Sequence, residues 1–104
     1  TRGLRFTPMN EKLLSNRSAA YLKLMKFQLA LDDALEAERI NPRWSKIYFR
    51  KGHACRGLKK FDDAMDAYET GKDLDPANAE WDREIKRTEA QKAALEEKKK
   101  AKLK

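Results

Sequence analysis

The sequence predicts an all-α chain, an α-solenoid of antiparallel helix pairs, and three observations carry that expectation. Among 104 residues there are 14 Ala and 12 Leu but only three Ile, four Thr and no Val, a set that favours helices and starves strands. Gly and Pro together number seven, well short of the roughly 12% of an average globular chain, so turns are few. The third observation is a period. Pro8, Pro42 and Pro76 stand 34 residues apart, twice. Neighbouring columns at the same shift keep their character. Gly3, Ala37 and Gly71 are small, and Phe6, Ile40 and Leu74 are apolar. Leu14/Tyr48, Ser18/Gly52, Leu24/Leu58, Phe27/Phe61 and Ala30/Ala64 match small with small and large with large. Self-similarity at a fixed period marks units that bury their apolar faces on one another.

Each element follows from this frame. Residues 1–10 carry Gly3, Phe6 and Pro8 in register with Ala37, Ile40 and Pro42, as the end of a preceding, truncated repeat would. Residues 11–44 form the first complete unit. Asn10 is placed to cap its first helix, along which Leu14, Ser18, Tyr21 and Leu24 recur at spacings of three and four. A turn around Met25–Lys26 leads to a second helix with Phe27, Ala30, Ala34 and Ala37 on one face, stopped by Asn41-Pro42. Residues 45–78 copy the pattern with Tyr48, Gly52, Cys55 and Leu58, a turn at Lys59–Lys60, then Phe61, Ala64, Tyr68 and Gly71 ahead of Pro76. Residues 79–104 follow as a C-terminal capping helix. Asn78 is its expected N-cap, Trp81 and Ile85 cover the last unit, and beyond Ile85 the stripe fades into a solvated basic helix. Glu96–Lys100 is an i,i+4 pair worth about 0.2–0.5 kcal/mol.

Catalytic and metal chemistry find little material. His53 and Cys55 are two apart on a helix and point to different faces, so they make no nucleophile–base pair. One His and one Cys cannot build a tetrahedral zinc site by themselves. Asp32–Asp33 and Asp62–Asp63 diverge, and Asp62 and Asp66 share a face; all are expected to be solvated. There is no Gly-rich phosphate loop. No enzyme activity, metal or cofactor is expected. No apolar run approaches the roughly 18–20 residues of a membrane span. Cys55, in the inward column of Tyr21, reads as a buried small hydrophobe, and a lone Cys suits a reducing compartment, so the expected location is cytoplasmic.

The 34-residue period, with Ser18/Gly52, Tyr21, Ala30/Ala64, Tyr68 and Pro42/Pro76 in its columns, resembles the tetratricopeptide repeat (TPR). That resemblance implies a concave groove lined by the second, sixth, ninth and thirteenth positions of each repeat. Here these are Lys12, Asn16, Ala19 and Lys23, then Lys46, Arg50, His53 and Gly57. None is acidic, although 17 of the 104 residues are. Such rows read either as a surface for a carboxylate-rich ligand, where charge-assisted bonds are worth about 1.5–3 kcal/mol each, or as a solvated basic face.

The strings Leu14-Ser15-Asn16-Arg17-Ser18-Ala19-Ala20-Tyr21 and Lys46-Ile47-Tyr48-Phe49-Arg50-Lys51-Gly52 are similar to the carboxylate-clamp TPR domains of heat-shock co-chaperones. Those domains grip the C-terminal Glu-Glu-Val-Asp of the seventy- and ninety-kilodalton heat-shock chaperones. By that resemblance Asn16 and Lys46 hold the terminal carboxylates, and Arg50 holds an upstream acidic side chain or carbonyl. Lys12, Ala19, Lys23, Phe49 and His53 line the same groove. The family's clamp takes a further Lys and Asn from the preceding repeat, so this chain carries three of its five residues. The implied partner is the C-terminal peptide of a heat-shock chaperone. The residues also allow a TPR scaffold for another acidic peptide or for a second copy. Nucleic acid is suggested by a pI near 9.6 and by Lys98–Lys100, and opposed by the acids interleaved through residues 80–97.

Repeat stacks of fewer than about three units are marginal, and a chain starting partway through a repeat leaves the apolar side of residues 11–44 open. Sedimentation should show association that grows as chain concentration rises from micromolar to millimolar. A monomer throughout that range would contradict the expectation.

Overall fold

The structure, a computed structural model, describes residues 10–103. Among them run five helices: α1 (Glu11–Lys23), α2 (Phe27–Ile40), α3 (Lys46–Gly57), α4 (Phe61–Leu74) and α5 (Glu80–Leu103). There is no strand among the described residues. The expected repeat remnant lies outside them apart from Asn10, and so does the Lys100 side chain of the Glu96–Lys100 pair.

Helix α1 starts where it does because Asn10 Oδ1 accepts the Leu13 N–H at 2.9 Å, satisfying one of the donors that a helix leaves open at its start. Asn78 does the same service before α5, accepting from Glu80 N–H at 3.0 Å. The two hairpin turns are one device used twice. Lys26 N–H donates to Tyr21 O at 2.8 Å and Met25 N–H to Leu22 O at 3.1 Å; 34 residues on, Lys60 N–H reaches Cys55 O at 2.8 Å and Lys59 N–H reaches Arg56 O at 3.0 Å. These crossed bonds satisfy the last carbonyls of each helix. They hold Met25 and Lys59 at φ of 59° and 66°, left-handed values that cost a side-chain-bearing residue about 1–2 kcal/mol. One expectation is corrected. Leu24, assigned to the apolar stripe, is 64% exposed, whereas Leu58 on the matching turn packs half-buried against the core; among the described residues Leu24 has no preceding helix pair to pack on.

Helices α1 and α2 pack as a pair, as do α3 and α4, and the stack continues α2 on α3 and α4 on α5. The main core holds Ala30, Leu31, Tyr48, Ala54, Cys55, Ala64, Tyr68 and Trp81; a smaller cluster joins Leu14, Ala37 and Ile47 under Trp44. Small residues set how closely the helices approach. In the first pair, buried Ser18 uses its proximity to donate to Ala30 O at 2.8 Å. In the second, the same column is Gly52, and the Tyr68 ring fills the space so fully that a Cβ there would lie 2.4 Å from it. Gly71 serves Trp81 likewise, with a notional Cβ 2.2 Å from the indole. Trp81 is fully buried and Ile85 packs half-buried beside it, the cap that a terminal unit requires. Burial pushes the Cys55 thiol pKa up.

Two surface expectations are revised. Asp33 is only 5% exposed, because its column is an inward one, held by buried Ala67 in the next pair. Its carboxylate is compensated by a two-pronged bond from Arg17, whose Nε and Nη2 both lie at 2.7 Å; the pairing raises the Arg17 pKa. Asp32 turns outward, as expected, and accepts from Gln28. Packing along α5 also persists beyond Ile85: Thr88 is fully buried, bonding Glu84 O at 2.8 Å, and Lys92 reaches back to exposed Asp62 at 2.6 Å.

Replacing Gly71 by Ala gains about 1 kcal/mol of helix propensity but drives a methyl into a rigid, fully buried indole, and overpacking costs about 1–3 kcal/mol. Urea unfolding of Gly71→Ala should show a lower midpoint with an unchanged slope. A midpoint above wild type would mean that the α4–α5 contact is not close.

Candidate functional site

The inner helices α1 and α3 differ from their outer partners in charge. Helix α3 carries Lys46, Arg50, Lys51 and Arg56 and no acid, whereas α4 carries Asp62, Asp63, Asp66, Glu69 and Asp73 against a single Lys72. Lys12, Asn16 and Lys23 stand exposed on α1 and Ala19 half-buried; Lys46 stands exposed at the first turn of α3. Among the described residues, no carboxylate lies within ion-pair distance of Lys12, Lys23, Lys46 or Arg50, while Arg17, Lys51, Arg56, Lys72 and Lys92 all have one within 3 Å.

Arg50 is the best-anchored of the groove cations. It is half-buried, one helical turn beyond Lys46, and its Nε lies 3.3 Å from Oγ of buried Ser15. That bond ties α3 to the turn of α1 that bears Asn16. Burial lowers the Arg50 pKa, yet a guanidinium stays protonated in proteins, so a cation is held partly out of water with no acid to meet it. Ser15 was not among the expected site residues; nothing in its sequence surroundings distinguishes it from any small polar residue beside a Leu.

Two expected groove residues turn out to be structural in part. Phe49 is half-buried, its ring stacked on Trp81 at 3.7 Å and 4°. His53 does not supply a positive charge. Its Nδ1 sits 2.6 Å from the Tyr68 hydroxyl, and its pKa is pulled down to about 4, first by burial and then by Arg56, with Arg50 and Arg87 adding to the effect and Glu84 opposing it. At neutral pH the ring is an uncharged wall between cations. Arg56, outside the expected set, is engaged by Glu84 at 2.8 Å. Beyond His53 the groove opens into a cavity of about 540 Å³ walled by Leu22, Phe27, His53, Gly57 and Gln91.

The described residues hold no cluster of three metal-ligating side chains, and no helix is long and apolar enough to cross a membrane. What the site offers is a set of donors with no carboxylate partner among the described residues: an amide, an ammonium and a guanidinium on two facing rows. Such a set suits carboxylates.

No family model matches the chain. Among curated proteins it is 48% identical over 69 residues to human tetratricopeptide repeat protein 28, a match covering 66% of this chain and 3% of that protein. The chain thus spans a small fraction of that relative's length. Among solved structures it is similar to the second TPR domain of the human RPAP3 protein in complex with the HSP70 peptide SGPTIEEVD, with TM-score 0.77 and 32% identity, covering 85% of this chain and 73% of that one. It is also similar to the first TPR of Spaghetti (RPAP3) bound to the HSP90 peptide SRMEEVD, with TM-score 0.76 and 34% identity, covering 81% of this chain and 67% of that one.

His53 is the chain's single histidine, so its ring resonances are unambiguous. An NMR titration should find it neutral at pH 6 and protonating only near pH 4. A free His titrates near 6.5, so the unfolded chain takes the proton first, and stability owed to the neutral ring is lost as pH falls from about 6.5 toward 4. A midpoint near 6.5 in the folded protein would contradict the buried, Tyr68-bonded ring.

Proposed function

The chain belongs to the tetratricopeptide-repeat family, and from that premise we propose that it is a protein-interaction module of the co-chaperone type, holding the acidic C-terminal tail of a seventy- or ninety-kilodalton heat-shock chaperone in the groove of α1 and α3. The observation that carries this reading is that Lys12, Lys23, Lys46 and Arg50 have no carboxylate within ion-pair distance among the described residues, with Arg50 tethered across to α1 through Ser15. Two similar solved domains hold peptides ending in Glu-Glu-Val-Asp, which supports the same ligand chemistry here.

In this reading Asn16 and Lys46 meet the terminal carboxylates and Arg50 an acidic group upstream. Capture of a free C-terminus by positioned donors is an established recognition mode. Lys12 and Lys23 add field rather than fixed bonds, since exposed charges are screened over about 8–10 Å at ordinary salt. The module works by adhesion and has no chemistry of its own. A cytoplasmic setting suits its lone buried thiol.

The test is a calorimetric titration with a peptide ending Glu-Glu-Val-Asp, free and amidated, against wild type and Arg50→Ala. The free peptide should bind wild type, and more weakly as salt rises. Arg50→Ala should weaken it about 10- to 150-fold, the worth of one charge-assisted bond, and amidation should weaken it further. Lys98→Ala on the distal part of α5 should change little. Equal affinity in all four combinations would leave a TPR scaffold for some other partner.

A further inference from the structure

Helix α5 caps the stack, yet its register is that of a third inner helix. It begins at Glu80, in the column of Lys12 and Lys46. Carried forward, the 34-residue period puts Glu84 in the column of Asn16 and Arg50, Arg87 in that of Ala19 and His53, and Gln91 in that of Lys23 and Gly57. Burial obeys the same register. Trp81 is fully buried like Ile47 in its column, and Thr88 like Ala54 in its own. Gln91 lines the distal cavity of the groove together with His53 and Gly57. The face that α5 turns to the groove therefore carries exposed Glu80 at its start, then Glu84, Arg87 and Gln91.

Of the charged residues on that face, Glu84 and Arg87 are tied to each other and to the neighbouring helix unequally. Glu84 keeps only 13% of its side chain exposed and accepts from Arg56 Nη1 at 2.8 Å; its other oxygen faces Arg87 Nη1 at 3.7 Å, and the Arg87 side chain is 63% exposed. The short pair compensates the carboxylate. The long one, with a mostly exposed partner, belongs to the class of ion pairs worth little in water. Losing it leaves Glu84 still paired with Arg56. Arg87 is thus steered toward the groove by Glu84 without being committed to it, next to a His53 ring that is neutral and offers an incoming anion no charge of its own.

We propose that Arg87 is a specificity-determining residue of this groove, binding a carboxylate side chain of the ligand that lies farther from its C-terminus than the group met by Arg50, with Glu84 positioning the guanidinium. The proposal rests on the carboxylate-tail reading of the groove. It follows from the order of the columns: Lys46 comes first, Arg50 a turn later, and the His53–Arg87 column beyond. An acid-rich tail lying along the groove brings its outermost acid to that column. On this account α5 recognises sequence in addition to closing the core.

The experiment is a double-mutant cycle by calorimetry at low and physiological salt, pairing wild type and Arg87→Gln with two free-acid peptides, one ending Glu-Glu-Val-Asp and one ending Ala-Glu-Val-Asp. Arg87→Gln should weaken the first roughly three- to tenfold, the range between an exposed and a partly desolvated charge pair, and leave the second unchanged; Arg87→Lys should recover part of the loss. Equal weakening of both peptides would show a general field or a packing effect, and no weakening of either would show an idle Arg87; both overturn the proposal. Arg50→Ala, run alongside, separates the two levels. If it weakens the free peptide while Arg87→Gln does nothing, only the role of Arg87 falls. If neither peptide binds wild type, the groove reading and the role of Arg87 fall together.

Discussion

The structure depends on how closely large rings can approach helix backbones. Three glycines decide it. Gly52 receives Tyr68, Gly57 receives Phe27, and Gly71 receives Trp81, each with ring atoms at 2.2–2.8 Å from where a Cβ would stand. No ordinary side chain fits at such distances, so these positions fix the spacing between α3 and α4, between α3 and the start of α2, and between α4 and α5. Attraction between a ring and a flat backbone is a sum of many small dispersion contacts that falls away quickly with any gap. A chain with only about 100 residues buries a modest share of its surface, and close approach extracts the most from each buried ring.

That spacing also creates the electrostatic character of the groove. Because Tyr68 lies against Gly52, its hydroxyl reaches His53 on the groove side of α3. Tyr68 is one of the core residues and His53 one of the groove residues, and a single hydrogen bond joins the two regions. The ring of His53 is thereby held where burial and the surrounding arginines keep it uncharged. The acids of α2 and α4 stand on the outer helices, and one of them, Glu38, pairs with Lys51 from α3 at 2.8 Å. Among the described residues, Lys46 and Arg50 of α3 have no carboxylate within ion-pair distance and are left for solvent or ligand, while Arg56 is taken by Glu84.

Much of this was legible in the residues. The period, the five helices, the Asn10 and Asn78 caps, the buried Cys55 and the Trp81 lid all follow from spacing and residue type, because each is a local or periodic property. What escaped was set by partners far apart in the chain. Asp33 looks like any helix-surface acid until Arg17, 16 residues earlier, is seen to cover it. His53 counts as a base in a sequence and as a neutral ring once Tyr68 and three arginines are placed round it. Leu24 obeys the apolar spacing but, unlike Leu58 on the matching turn, has no preceding helix pair among the described residues to cover it. The third inner row was present in the arithmetic of the period. It was hidden because Glu80 and Glu84 occupy columns that carry Lys, Asn or Arg in the two preceding units, so the columns disagree in charge while agreeing in position.

Cys55 gives the fold a clock. The thiol is 2% exposed, in the middle of the α3 face that meets α2 and α4, and burial shifts it away from the reactive thiolate. Cys55 lines a cleft between those helices with almost none of its surface exposed, so a bulky thiol reagent reaches it freely only when they part. Its rate of modification in the native protein is therefore the intrinsic rate multiplied by the fraction of time that the stack is open. A single atom in the core thus keeps time for the breathing of the whole stack, without any label having been added.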